Sequence, residues 1–312
     1  MSEQLTFEAA YGKALCDLGD KHKKLVVLDA DCARATGSVV FTESHPMRFY
    51  QMGIAQQDMI GTAAGLALDG KIPFASSYAA FLTRAWEQVR NCVARAKLPV
   101  RFVGTGAGFA SAVEGATRQS FEDVALFRAI PGVQVFSPAD TKELVEIMEF
   151  LSEDLSAPAY IRFGVSPDEI ITTDHTFALG KAACLHEGDD VTILAFGVMA
   201  SRALAAAQKL ADDGVKARVL NMSSLKPFDE EAVLKAASET GALVTAEEHS
   251  VIGGLGSLVA SFVAEKHPAK LKMVGIKDTF TESGSEADLD ERYGLTVDAI
   301  VAASREVCEK KS

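Results

Sequence analysis

The chain has 312 residues, of which 48% are hydrophobic and 24% charged, and its formal net charge is −12 at pH 7. This length predicts two globular domains. The acidic charge, with no stripe of Lys and Arg, argues against nucleic acid as the principal ligand, and the lack of a long apolar run argues against a membrane span.

The cysteines are typical of a reducing compartment. They are dispersed, odd in number, and lack the CxxC spacing of a zinc site or redox pair. The sequence therefore predicts no structural metal. The N-terminal segment also lacks the basic-then-apolar order of a signal peptide, so we expect a cytoplasmic protein. The five cysteines are Cys16, Cys32, Cys92, Cys184 and Cys308.

Short apolar segments alternate with helical patterns through the first half of the chain. Helical spacing begins after Thr6, and LVVLDAD from Leu25 is typical of a buried strand. A helix is predicted after Gln56, and another through Trp86 and Val89. Strands separated by helices predict a parallel sheet covered on both faces. The remaining elements are strands PFASSY from Pro73, VRFVGTG from Val100, VQVFSPAD from Val133 and AYIRFG from Ala159, and a helix over 141–151.

The second half repeats this alternation after the polar segment SPDEIITTDHT. Helices are predicted over 200–210 and 230–237. Strands are predicted from Val191, Ala217, Ala242 and Met273. We therefore predict an α/β protein of two doubly wound domains, a parallel-sheet domain at residues 1–170 and a smaller domain at residues 185–312.

The stretch from residue 51 to residue 81 concentrates the candidate functional residues. Gln56 and Gln57 stand near a predicted helix start, where an amide can present its oxygen or its NH2 group to the edge of a ring. Tyr78 and Phe81, three residues apart, can offer an aromatic face. The residues alone leave open the alternative that the aromatic side chains belong to the core and the glutamines are solvated caps.

Several segments, in order along nearly the whole chain, resemble the C-terminal half of transketolase, specifically the separately encoded subunit of split transketolases. They are VVLDAD, MGIAQQDMIGTAAGLA, FEDVALFRAIPGVQVFSPAD, AYIRFG, FDEEAVLKAASETGALVTAEEHSVIGGLGSLVA and GIKDTFTESGSEADLDERYGLT. The resemblance implies a pyrimidine-binding domain followed by a transketolase C-terminal domain. It also implies the cofactor thiamine diphosphate and the transfer of a two-carbon ketol unit between sugar or sugar-phosphate substrates.

The sequence lacks the motif of the family's diphosphate-binding domain. In the family that domain binds Mg²⁺ and the diphosphate through a GDG motif, and no GDG occurs here. The resemblance therefore implies an N-terminal diphosphate-binding partner subunit and an α2β2 heterotetramer with cofactor sites at subunit interfaces. Mg²⁺ is expected to be bound mainly by that partner, so no metal ligand is predicted in this chain.

The resemblance also assigns roles to single residues. Asp31 matches an acidic position that faces the cofactor, and Ile54 matches an apolar position of the same pocket. Tyr78 and Phe81 match the aromatic residues that pack on the aminopyrimidine ring. Arg162, in AYIRFG, matches an arginine that binds the substrate phosphate.

Two regions depart from the family pattern. The family activates its cofactor with a glutamate at the fourth position of GIAEQ, and that position is Gln56 here. An amide can hydrogen-bond the pyrimidine N1′ but cannot supply a proton, so Gln56 is the candidate catalytic residue of a slower activation. The family stretch THAGLSVGEDGATHQ is TGAGFASAVEGATRQ here, with Gly106 and Arg118 at its two histidines and Glu114 in its acidic pair. These three residues and Arg162 are the candidate substrate-binding residues, although Glu114 and Arg118 also have the spacing of a solvent-facing ion pair.

These changes allow two interpretations of function. The first is the active β subunit of a split transketolase-like enzyme, in which Arg118 or Arg162 holds an anionic group of an altered substrate. The second is a catalytically impaired or regulatory subunit that still binds its partner. The first interpretation is favoured because Asp31, Tyr78 and Phe81 keep the residue types that the family has in its cofactor pocket. A 2-oxoacid dehydrogenase E1-β-like component and a deoxyxylulose-phosphate synthase fragment are further alternatives within the superfamily.

Overall fold

Two mainly parallel β-sheets follow each other along the chain, as the alternation of strands and helices predicts. The computed structural model describes residues 5–309. The strands are β1 (Leu25–Asp29), β2 (Phe49–Gln51), β3 (Ile72–Tyr78), β4 (Arg101–Thr105), β5 (Gln134–Phe136), β6 (Ala159–Arg162), β7 (Ala183–His186), β8 (Val191–Ala195), β9 (Ala217–Asn221), β10 (Ser224–Lys226), β11 (Ala242–Ser250) and β12 (Lys270–Ile276).

Helices precede and separate these strands. In the first half they are α1 (Phe7–Lys21), α2 (Ala33–Thr36), α3 (Val39–Ser44), α4 (Gln56–Leu68), α5 (Ala79–Leu82), α6 (Trp86–Gln88), α7 (Asp123–Arg128) and α8 (Thr141–Glu153). In the second half they are α9 (Val198–Asp212), α10 (Glu230–Glu239), α11 (Leu255–Lys266), α12 (Glu286–Tyr293) and α13 (Val297–Glu309). A 3₁₀ turn covers Phe109–Glu114.

The first sheet has seven strands in the order β10-β5-β6-β4-β3-β1-β2, and all its pairs are parallel except the edge pair β10–β5. Helices cover both faces. Leu25 and Val27 of β1 belong to the apolar cluster that contains α1, whereas Val26 and Leu28 belong to the cluster that contains α4. Because successive side chains of a strand point to opposite faces, this division confirms the predicted doubly covered sheet.

The second sheet has five strands in the order β12-β11-β8-β9-β7, and only the edge pair β7–β9 is antiparallel. The two halves are joined closely. Strand β10 comes from beyond residue 185 yet completes the first sheet, and Lys226 Nζ donates hydrogen bonds to the carbonyl oxygens of Arg128 and Ile130. The predicted domain limits, residues 1–170 and 185–312, remain a prediction. Strand β10 lies within the second range but pairs with the first sheet.

The sequence pattern does not predict the edge strands β2, β7 and β10. Each has only three or four residues, and β2 and β7 are partly exposed, so no apolar run marks them. The predicted helix through Trp86 and Val89 is a succession of short pieces, a 3₁₀ turn at Thr83–Ala85, α6 and a π-helical segment at Val89–Ala94. Over residues 5–309, no helix is long and apolar enough to cross a membrane.

Candidate active site

A cavity of about 560 Å³ lies at the carboxyl ends of β1 and β3, which are neighbours in the first sheet. This edge of a parallel sheet is where α/β proteins bind ligands. The cavity brings together six of the residues that the sequence singles out. They are Asp31, Ile54, Gln56, Tyr78, Phe81 and Arg118.

A buried carboxylate organises the loop that follows β1. Asp29 is fully buried and accepts hydrogen bonds from the backbone N–H of Cys32 at 2.6 Å, Thr36 Oγ1 at 2.8 Å and Ser38 Oγ at 2.9 Å. Burial raises the pKa of Asp29, and these three donors oppose that rise. Asp29 thus sets the path of the chain that lines one side of the cavity.

Asp31 has a left-handed backbone conformation, with φ at 63°, and its side chain is exposed at the cavity. Aspartate adopts this conformation more readily than most residues. Its backbone N–H donates to Gln51 Oε1 at 2.8 Å, and the same oxygen accepts from the N–H of Gly53 at 3.2 Å. The amide of Gln51 therefore ties the loop after β1 to the segment that leads into α4.

Gln56 is the first residue of α4 and is 3% exposed. Its Nε2 lies 3.5 Å from Ser77 Oγ on β3, which is long for a hydrogen bond. The amide is therefore weakly held at the wall of the cavity. Ile54, two residues earlier, is 73% exposed and presents an apolar surface beside it.

Two aromatic rings and one guanidinium form another wall of the cavity. The rings of Tyr78 and Phe81 meet edge to face with centroids 5.6 Å apart, and Arg118 Cζ lies 5.1 Å and 5.2 Å from the two centroids. Arg118 Nη1 is also 3.3 Å from Glu114 Oε1. Burial and the Glu114 charge raise the pKa of Tyr78. This wall offers flat apolar faces together with a positive charge.

Gly106 does not line the cavity but supports its aromatic wall. Its φ is +62°, and a Cβ atom there would lie 2.7 Å from Tyr78 Cδ1. The predicted substrate contact of Gly106 stays a prediction. In the structure its lack of a side chain leaves room for the Tyr78 ring.

The Gly106→Ala substitution is expected to destabilise the chain more than Gly132→Ala. Both glycines have positive φ, so both substitutions carry a backbone strain of roughly 1–2 kcal/mol. Only Gly106→Ala adds a clash, because a Cβ at Gly132 would meet nothing within 4 Å. We therefore expect Gly106→Ala to lower the free energy of unfolding by about 1–3 kcal/mol more than Gly132→Ala does, measured by urea denaturation. Equal losses would show that Tyr78 moves away at no cost.

Arg162 lies apart from this cavity. The residue is 2% exposed, its Nε donates to Asp123 Oδ2 at 2.8 Å, and its Nη2 donates to the Glu248 carbonyl at 3.2 Å. Tyr160 donates to the same Asp123 oxygen at 2.7 Å. The Arg162 guanidinium is thus held by an ion pair within the first half of the chain and by a hydrogen bond to the second half, and its predicted phosphate contact stays a prediction.

The same buried region contains three consecutive titratable side chains. Burial raises the pKa of Glu247 to about 7 and that of Glu248 to about 7, and it lowers the pKa of His249 to about 4. Glu247 accepts from the N–H groups of Leu255 and Gly256 at the start of α11. Near neutral pH the imidazole is uncharged, and each carboxyl group is close to its midpoint of ionisation.

The stability of the chain is expected to fall as the pH rises from about 4.5 to 7. In this range the folded state keeps protons on Glu247 and Glu248 that the unfolded state has released. His249 has the opposite effect on stability between about pH 4 and 6.5, because the unfolded state binds the imidazole proton more tightly than the folded state does. The net change is still a loss of stability, because two carboxyl groups release protons and only one imidazole does. Glu248→Gln should therefore gain on the order of 2 kcal/mol relative to wild type between pH 5 and 7, measured by urea denaturation. A constant difference across this range would contradict the assignment.

The cavity also contains residues that sequence reasoning did not single out. Arg34 on α2 and Cys32 line it, as does Gln51. Its charged lining residues are Arg34, Arg118 and Asp31, which leaves a positive excess in a chain of net charge −12. The position of Arg34 shortly after the first predicted strand was an available signal, because loops at strand carboxyl ends build such sites.

Both halves of the chain match known protein families. The transketolase pyrimidine-binding domain matches residues 3–166, and the transketolase C-terminal domain matches residues 180–300. The chain is 45% identical to the 6-deoxy-6-sulfo-D-fructose transketolase subunit SqwH of Clostridium sp. (strain MSTE9), over 97% of this chain and 94% of that protein. It is 36% identical to one of the subunits of the apulose-4-phosphate transketolase of Phocaeicola vulgatus, over 96% of this chain and 97% of that protein.

A solved structure of a split-gene transketolase, an inactive β4 tetramer, superposes with a TM-score of 0.90 at 44% identity. The match covers 99% of this chain and 100% of that one. The resemblance seen in the sequence is thereby confirmed along both halves. The chain belongs to the transketolase family, as a pyrimidine-binding domain followed by a transketolase C-terminal domain.

Proposed function

We propose that this chain is the β subunit of a split, thiamine-diphosphate-dependent transketolase-like enzyme that transfers a two-carbon ketol unit between sugar or sugar-phosphate substrates. The observation that carries the proposal is the single cavity lined by Asp31, Ile54, Gln56, Tyr78 and Phe81. The two split transketolase subunits reported above, similar over nearly their whole lengths, support this function over a 2-oxoacid dehydrogenase component or a synthase fragment.

The lining of the cavity fits the pyrimidine half of the cofactor. Tyr78 and Phe81 supply aromatic faces, Ile54 an exposed apolar surface, and Gln56 an amide that can bind a ring nitrogen. Within residues 5–309, no group of three or more His, Cys, Asp or Glu side chains is arranged to hold a metal ion. We propose that an N-terminal partner subunit holds the diphosphate and Mg²⁺ in an α2β2 assembly.

The chemistry of the site divides between the cofactor and this chain. When bound, thiamine diphosphate would supply the nucleophilic carbon that the transfer of a ketol unit requires. Gln56 orients the pyrimidine ring through a hydrogen bond but exchanges no proton with it, because an amide does not titrate in water. Asp31, held by Gln51, faces the same region. The aromatic pair and Ile54 exclude water from the ring faces.

Arg118 is the proposed contact for an anionic end of the substrate. It lines the cavity, and among the described residues the partly exposed Glu114 is the one carboxylate within 4 Å of it. Two relatives are named for sugars that carry a sulfo or a phosphate group. A guanidinium binds either group through two parallel hydrogen bonds. We therefore expect donors or acceptors with a terminal sulfonate or phosphate.

The test is reconstitution with a partner. The chain should be co-expressed with a GDG-containing N-terminal subunit, and the complex titrated with thiamine diphosphate and Mg²⁺ against a panel of ketoses with phosphate, sulfonate or uncharged ends. We expect turnover that requires both proteins and both cofactors, with anionic ketoses preferred. Saturable cofactor binding without turnover of any ketose would reject the transferase.

The alternative is a catalytically impaired or regulatory subunit. Gln56 is the observation that favours it, since positioned acid–base groups contribute roughly 10²–10⁴ in rate. A complex that binds cofactor, turns over no donor and alters the activity of another transketolase assembly would support this alternative.

A further inference from the structure

The loop that carries Glu114 and Arg118 has little regular structure of its own. It begins at Gly108, with φ at 62°, passes through the 3₁₀ turn and turns again at Gly115, with φ at 82°. The turn is interrupted at Ser111, whose φ and ψ are −106° and 34°. Since a single 3₁₀ turn has weak internal hydrogen bonds, other contacts must set the position of this loop.

Those contacts come from the C-terminal half. Gln119, at the end of the loop, is 4% exposed, and its Nε2 donates to the carbonyl oxygens of Ala112 at 3.1 Å and Glu282 at 3.0 Å. Its Oε1 accepts from Thr281 Oγ1. The N–H of Gly284 also donates to the Ala112 carbonyl, at 3.3 Å. We call these five residues, Ala112, Gln119, Thr281, Glu282 and Gly284, the interdomain latch.

The start of the loop is tied to the same half of the chain. The N–H of Phe109 donates to Glu248 Oε1 at 2.8 Å in a buried contact. A Cβ atom at Gly115 would lie 2.6 Å from Ser283 Oγ, so the loop and the segment after β12 are in close contact there too. The C-terminal half therefore contacts the beginning, middle and end of the loop.

The side-chain contacts of the Arg118 guanidinium are its ion pair with Glu114 and the rings of Tyr78 and Phe81, whose centroids lie 5.1 Å and 5.2 Å from Cζ. Its ion pair with Glu114 is partly exposed, with side-chain exposures of 37% and 44%, and such pairs contribute little. The backbone N–H of Arg118 and that of Gln119 both donate to the Gly115 carbonyl. Arg118 reaches the two rings only from the position in which the loop backbone is held, so the position of the guanidinium also depends on that backbone.

We infer that Gln119 is a positioning residue, which through the interdomain latch fixes the loop and sets the affinity of Arg118 for the anionic end of the substrate. This rests on the proposed function for the identity of the anion. The C-terminal half then acts in substrate recognition, although it contributes no side chain to the lining of the cavity.

Thr281 allows a matched test, because it is 8% exposed and lies outside the cavity. Thr281→Val removes the hydroxyl that donates to Gln119 at nearly constant shape, whereas Thr281→Ser keeps it. Hydrogen exchange of residues 109–119 in the full chain should be about fivefold faster in Thr281→Val, since a hydrogen bond contributes roughly 1 kcal/mol. Thr281→Ser should exchange like wild type. Equal exchange in all three proteins would overturn the latch.

The second readout measures anion binding without turnover. In the complex with the partner subunit, inorganic phosphate should protect Arg118 from modification by phenylglyoxal. Thr281→Val should need about fivefold more phosphate for half-protection, and Thr281→Ser should restore the wild-type value. Protection that is absent, or equal in both variants, would overturn the positioning role. Failure of the ketose panel, with these results intact, would instead reject the proposed transferase and leave the latch in place.

Discussion

Replacing Gln56 by glutamate in the complex with a diphosphate-binding partner is expected to raise kcat/KM for the best ketose donor by about a hundredfold. Under the proposed function a carboxyl group at this position would exchange a proton with the pyrimidine ring, which the amide cannot do, and positioned acid–base groups contribute at least about 10² in rate. The Gln56 side chain is buried beside Ser77, and glutamate fits the same space because it has nearly the same shape and volume as glutamine. Steady-state rates across pH provide the measurement, and Gln56→Glu should introduce a pH dependence absent from wild type.

Gln57→Glu is the matched control. It adds the same charge one residue further along α4, on an exposed side chain that does not line the cavity. Its kcat/KM should stay within about twofold of wild type, because an exposed charge on a helix surface has small effects. A rate that is unchanged or lowered in Gln56→Glu, with cofactor binding retained, would mean that the site activates its cofactor by another route.

Replacing Arg162 by methionine is expected to lower the free energy of unfolding by about 3–5 kcal/mol. The substitution leaves Asp123 as a fully buried carboxylate without its cation, and removing one partner of a buried ion pair costs this much. Asp123 Oδ1 has no hydrogen-bond partner, so the Tyr160 hydroxyl, a neutral donor to Oδ2, is left to compensate the charge. Urea denaturation of the isolated chain near pH 7 measures the loss.

Arg118→Met provides the comparison. Arg118 is 37% exposed and its pair with Glu114 is open to solvent, so its loss should cost less than about 1 kcal/mol in stability. In the assembled complex the same variant should raise KM for anionic donors. If Arg162→Met left stability unchanged and raised KM instead, the predicted phosphate contact of Arg162 would be correct, and its ion pair would have no structural importance.

The fold was largely predictable because its signals are local. Buried strands such as β1, β3 and β8 are continuous apolar runs, and the helices between them repeat apolar residues at helical spacing. The three missed strands lie at sheet edges, where three or four partly polar residues gain their pairing from a neighbour. β10 shows this most clearly, because it joins a sheet whose other strands end more than sixty residues earlier.

The candidate site was predictable residue by residue only through the resemblance to a family. Composition and spacing left open whether Tyr78 and Phe81 were core residues, and the cavity with Arg118 against both rings favours a binding role. The position of Arg34 after the first predicted strand was a signal, whereas Gln51 ends β2, a strand that the sequence pattern does not predict. The contacts of Gln119 with the C-terminal half could not be predicted from sequence, because Thr281 and Glu282 lie more than 160 residues away.

The sequence by itself determined the two α/β halves, their parallel sheets and the presence of glutamine at position 56, because periodic patterns and residue identities are properties of the chain. Tertiary structure alone decided which arginine faces the cavity and which is buried in an ion pair. Arg118 and Arg162 carry the same charge. Arg162 is buried in an ion pair with Asp123, whereas the side chain of Arg118 lies at the cavity wall and is accessible to solvent. Burial and electrostatic pairing depend on neighbours that only folding brings together.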